Sequence, residues 1–215
     1  MTQTQTQPKR MTQTERTDLS DRRMLEAAVK LIVAHGVERT TLKEVGENAG
    51  YSRGLAGYRF GSKAGLLEFI VRTIGEDWLE ELTRTTHGLA GFDAMAAAID
   101  EHLKFCLDAP DRVRAFYILW FEAVTPKSPV KKVVSGIHDR RRRDVARWIF
   151  EGVARGKPET TQTAHAIAGQ FNTAIVGIVY HWLQHPGDIE GVAALHENLK
   201  HTMKRLLEPA ASSRD

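Results

Sequence analysis

His181 and His185 stand four residues apart in "HWLQH". On a helix that spacing puts both imidazoles on one face, where a pair can hold a metal ion. No third ligand is evident. "HENLKH" sets His196 and His201 five apart, not the four that the zinc-protease pattern H-E-x-x-H needs. Cys106 is the single cysteine. It has no recognisable base partner and reads as a small buried apolar residue. One cysteine cannot form an intrachain disulfide, which suits a reducing, cytoplasmic setting. No convergent acid/base set accompanies these groups. We therefore expect no catalytic residue, no metal, no cofactor and no enzymatic activity.

The densest chemistry lies at 51–63, "YSRGLAGYRFGSK". A phosphate loop would need a preceding strand and a Gly-Lys-Ser/Thr ending. Here "GSK" reverses that order. The glycines fall at 54, 57 and 61, which is not the G-x-G-x-x-G spacing of a dinucleotide site. Leu55, Tyr58 and Phe60 are too apolar for a solvated linker. A short helix that touches nucleic acid remains.

The flanking elements fit that reading. A helix is expected from about Asp18 to His35, with Leu25, Ala28, Leu31 and Ile32 at helical spacing and Gly36 at its end. "TLKE" at 41–44 is a capping box that opens a second, short helix stopped by Gly50. Ser52 can cap a third short helix and Ser62 a fourth. The third is too short to stand alone and must lean on its neighbours. Its outward residues are small or basic, which suits a helix pressed into a major groove. Residues 1–63 carry eleven Lys and Arg against seven Asp and Glu. That excess of four exceeds the whole-chain net charge of +3, so the positive surplus sits at the N-terminal end.

The run "MLEAAVKLIVAHGVERTTLKEVGENAGYSRGLAGYRFGSKAGLL" resembles the tetracycline-repressor (TetR) family of bacterial regulators. Ala27-Ala28, Leu31, Gly36, Thr40-Thr41, Val45, Ala49-Gly50, Ser52, Gly54, Tyr58, Phe60, Lys63 and Leu66 follow its pattern in order. The resemblance implies a homodimer with two reading heads on a helical body, binding a palindromic operator in double-stranded DNA and released by a small molecule. It implies phosphate contacts from Thr41, Ser52, Tyr58 and Lys63. Arg53, Gly54 and Leu55 would face base edges, and Phe60 would be core. The chain departs from the family at Gly57, which replaces an aromatic, and at Arg59, which replaces the usual His. Gly57 removes one contact, whereas Arg59 adds a cation near the phosphates.

The remainder reads as helices near 92–108, 110–124, 129–155, 160–184 and 188–207, punctuated by Gly and Pro. No convincing strand appears, so the expected fold is all-α with about nine helices. The expected organisation is a disordered polar arm at 1–17, a helix-turn-helix domain at 18–65, an effector-binding and dimerisation bundle at 66–208, and a tail at 209–215. The polar N-terminus has no apolar core of a signal peptide. "AIAGQFNTAIVGIVYHWL" is broken by Gln170, Asn172 and His181 and is expected as a buried helix rather than a membrane span.

That helix is apolar on both sides. Ala164, Ile167, Phe171, Ala174, Ile178 and Trp182 would face their own core. Ala166, Gly169, Thr173, Val176, Gly177 and Tyr180 would meet a partner, with Leu195 and Leu199 of the last helix completing a four-helix interface. Phe105, Phe116, Tyr117, Trp120, Phe121, Trp148 and Phe171 are candidate walls for an apolar or aromatic effector, with His102 and Asn172 as polar anchors. Simple core packing explains any one of these rings equally well. Four consecutive arginines in "DRRRRD" spread around a helix. They are expected as a solvated face paired with Asp139 and Asp144; an acidic effector held by one of them is the sharper alternative. The alternatives to a ligand-released repressor are an effector-independent regulator or activator, and a helical enzyme or carrier with a vestigial motif.

Overall fold

The computed structural model describes residues 11–153 and 161–207. Nine α-helices and no strand occur among the described residues. The chain divides into two compact units that meet at Leu66 and Leu67.

The first unit holds α1 (Gln13–His35), α2 (Leu42–Asn48), α3 (Arg53–Phe60) and the start of α4 (Lys63–Thr85). α1 begins about five residues sooner than its apolar spacing predicts. Thr12 and Glu15 form a capping box: the Glu15 amide donates to Thr12 Oγ1 at 3.2 Å and the Thr12 amide to Glu15 Oε2 at 2.7 Å. Residues 13–17 are therefore helical rather than part of an arm. Residues 1–10 of the expected arm and the tail at 209–215 lie outside the described residues. α1 buries Met24, Leu25, Ala28, Val29 and Ile32 in a core completed by Val45, Ala56 and Leu66.

The second unit contains most of α4 with α5 (Gly91–Asp108), α6 (Pro110–Glu122), α7 (Lys131–Val153), α8 (Thr161–Gln184) and α9 (Ile189–Leu207). Pro110 opens α6, where its missing N–H is no loss. α7 packs on α5 and α8, and α9 on α5 and α8. One crossing requires glycine: a Cβ on Gly152 would lie 2.4 Å from Gly91 Cα. Ile167, Phe171, Ile178 and Trp182 of α8 are buried as expected. All four tryptophans of the chain (78, 120, 148 and 182) lie in this unit, and none is more than 9% exposed. No described helix is long and apolar enough to cross a membrane.

Candidate DNA-reading head and a buried polar cluster

The α2–turn–α3 geometry begins at Thr41. Its Oγ1 accepts from the Glu44 amide at 3.2 Å, and its own amide donates to Glu44 Oε2 at 3.2 Å. The capping box read from the sequence is thus formed. The turn runs through Gly50, whose φ of 79° is left-handed, and the Tyr51 amide closes it on Gly46 O at 2.9 Å. Gly46 lets the two helices meet: a Cβ there would lie 3.1 Å from Ser52 O and 3.6 Å from Ala56 Cβ. Ser52 occupies the N-cap position of α3, but its hydroxyl makes no capping bond. Ser62 does cap, accepting from the Gly65 amide at 3.1 Å.

α3 buries Ala56 and exposes Gly54 and Tyr58, the latter by 90%. A Cβ on Gly54 or Gly57 would meet open space. Leu55 and Phe60 are half-buried. The side chain of Arg53 lies outside the described residues. Two of the expected phosphate-side cations are engaged within the head. Lys63 Nζ donates to Glu38 O at 2.9 Å. Arg59 makes a two-pronged pair with Asp21, its Nε donating to Oδ1 at 2.7 Å. Asp21 on α1 was not legible as its partner, because 38 residues separate the two.

In the second unit the candidate effector residues only partly converge. His102, Phe105, Phe116 and Tyr117 surround a void of about 10 Å³ together with Ile74, Trp78 and Arg141. A neighbouring void of about 20 Å³ is lined by His102, Trp148, Phe171 and Asn172, again with Trp78 and Arg141. Trp120 packs at a tilt against Phe116 and Tyr117. Phe121 lies apart, edge-on to Tyr180. Each void is about the size of one water molecule. An open cleft of about 590 Å³ lies beyond them, sharing Leu82 and Trp148 with the larger void.

Trp78 and His196 were missed by the sequence reading, and Arg141 was singled out only as one of four arginines, any of which could hold an acidic effector. Arg140, Arg142 and Arg143 are exposed, and Arg140 pairs with Asp144 at 3.8 Å, as a solvated face should. Arg141 departs from that expectation: it is 8% exposed. It falls on the buried stripe of α7 with Ile137, Val145 and Trp148, a helical spacing that was present in the sequence but masked by the charge run.

These residues form an oriented chain of hydrogen bonds. His196 Nδ1 lies 2.8 Å from Val192 O, which only accepts, so Nδ1 carries the proton and Nε2 is bare. His102 Nδ1 then donates to His196 Nε2 at 2.8 Å. His102 Nε2 accepts from the Tyr117 hydroxyl at 3.4 Å, and Arg141 donates to that hydroxyl oxygen at 3.3 and 3.4 Å. Burial lowers the pKa of both histidines and pushes the Cys106 thiol up to about 12. His102, Cys106 and His196 offer metal-ligand atoms within 4.8 Å of one another. The two inner nitrogens already satisfy each other, however, and the thiol keeps its proton.

On the expected partner face of α8, Ala166, Thr173, Gly177 and Tyr180 are exposed, and Gly169 and Val176 half-buried. Leu195 is half-buried, whereas Leu199 belongs to this chain's own core at 6% exposure.

A short α3 held by a glycine turn against a capped α2, joined to an all-helical second unit, defines a helix-turn-helix transcriptional regulator. Residues 24–70 match the family model of the bacterial regulatory proteins of the tetR family, a family of DNA-binding regulators. The chain is 23% identical over 194 residues to YfiR of Bacillus subtilis (strain 168), described as an uncharacterized HTH-type transcriptional regulator; the match covers 90% of this chain and 95% of YfiR. A TetR-like transcriptional regulator from Rhodococcus sp. RHA1 shares its fold with a TM-score of 0.67 at 20% identity, over 91% of this chain and 99% of that one. The SmeT–triclosan complex does so with a TM-score of 0.70 at 20% identity, over 91% and 97%.

Proposed function

We propose that the chain is a cytoplasmic, homodimeric repressor that leaves a palindromic operator when a small apolar or aromatic effector enters its second unit. The observation that carries the DNA half is the open face of α3. Gly54 and Gly57 present no side chain and the Ser52 hydroxyl is uncommitted, so backbone and DNA can approach closely. Arg53, Gly54 and Leu55 read base edges; Thr41, Ser52, Tyr58 and Lys63 bind phosphates, Lys63 exchanging its bond to Glu38 for one. The exposed small face of α8, from Ala166 to Tyr180, is the surface that pairs with a second copy. SmeT, a structural neighbour solved as a complex with triclosan, supports an aromatic effector by analogy. The water-sized voids favour a second reading, an effector-independent regulator or activator.

The test is binding to the chain's own upstream DNA over a salt series. A log–log slope near zero would sink the electrostatic reading. Arg53→Ala should lose sequence preference, whereas Lys63→Ala should weaken all DNA binding uniformly; identical behaviour would overturn that division. A charge at Gly177 (Gly177→Glu) should turn a dimer into a monomer in sedimentation.

A further inference from the structure

Arg141 has more hydrogen-bond donors than partners. It is 8% exposed, yet no carboxylate among the described residues pairs with it. Among the described residues its guanidinium hydrogen-bonds only to the Tyr117 hydroxyl, and it lies 5.7 Å from the Trp120 ring. Five N–H donors outnumber one phenol oxygen, and a buried cation without an anion is unfavourable. A second donor waits in the same place. Trp78 is 7% exposed, its indole N–H has no acceptor among the described residues, and Trp78 and Arg141 together line both voids.

We propose that the second unit binds a carboxylate with an apolar or aromatic body, its oxygens accepting from the Arg141 guanidinium and the Trp78 indole. This rests on the effector reading above and names the chemical class of that effector. The hydrogen-bond chain through Tyr117, His102 and His196 holds Arg141 in place without supplying an anion, which leaves the charge for the ligand. The voids fit no more than a small head group. Leu82 and Trp148 are the two residues common to the inner void and the 590 Å³ cleft. Rotation of these side chains joins the two spaces into one whose size is within the range of about 300–1,000 Å³ that small-molecule sites occupy. The head then lies at Arg141 and the body extends past Trp148.

The experiment uses the full chain with matched pairs: phenylacetate, 4-phenylbutyrate and decanoate, each against its primary amide. Calorimetry and thermal melting report binding, and release of upstream DNA reports the response. The acids should bind at least about tenfold more tightly than their amides. Arg141→Met should abolish that preference. Its ligand-free melting temperature should equal or exceed that of the wild type, because an uncompensated buried charge is removed. Trp78→Phe should weaken acid binding several-fold and retain a smaller preference. Amides that match the acids, or a ligand-free Arg141→Met that melts well below wild type, would overturn the proposal. If acids and amides release DNA equally, the acid reading fails and the effector reading stands. If none binds while DNA binding persists, both fail.

Discussion

Arg59 shows how one residue's role depends on a neighbour remote in sequence. Read alone, it adds a cation to the reading helix. In the folded head it is paired with Asp21, whose side chain is 16% exposed against 42% for Arg59. Such a partly exposed pair contributes at most about 1 kcal/mol, so DNA phosphates can compete for the guanidinium. Asp21→Asn should free it. We expect the slope of log K against log salt for DNA to steepen by about one, with thermal stability nearly unchanged. An unaltered slope would mean that Arg59 does not face phosphate in the complex.

At the scale of elements, the head is built from caps and glycines. The Thr12–Glu15 box sets where α1 starts; Thr12→Ala should lose about 1 kcal/mol, visible as faster amide exchange at 13–17 while the middle of α1 stays protected. The junction of α3 and α4 depends on Gly65, where a Cβ would lie 2.2 Å from Phe60 O. That obstacle is backbone and cannot rotate away. Gly65→Ala should therefore destabilise the head by about 1–3 kcal/mol and reduce DNA binding in proportion. A fully stable variant would show that the junction can shift freely.

Across the whole molecule, charge and burial set a pH dependence. Burial depresses the folded-state pKa of His102 and His196 below the usual 6.5. Below pH 6.5 the unfolded chain binds these protons and the folded chain resists them. Stability is therefore complete above that pH and falls as pH drops through it, with a slope of up to about 1.4 kcal/mol per pH unit for each histidine. Melting between pH 7 and 5 should show this decline, and His196→Gln should flatten it. The nine helices among the described residues were legible in the sequence, because Gly and Pro punctuation separates one from the next. The start of α1 was not, since its capping box lies inside a Thr/Gln-rich repeat that carries no apolar period. The α2–α3 head was read nearly to the residue, whereas the buried cluster was not. His102 and His196 are 94 positions apart, and only packing of α5 on α9 brings them together. Arg141 was legible in principle, by the spacing of Ile137, Val145 and Trp148, but four adjacent arginines pointed to solvent.

The confinement of every tryptophan to the second unit has a practical result. Its four indoles are buried, with Trp78 and Trp148 on the walls of the voids, while the head carries Tyr51 and Tyr58 and no tryptophan. Excitation at the red edge of indole absorption thus makes the second unit an intrinsic optical reporter and leaves the head dark. Melting followed by tryptophan emission and by total helicity would separate if the two units unfold independently, so the unlabelled chain can show whether they behave as one cooperative body.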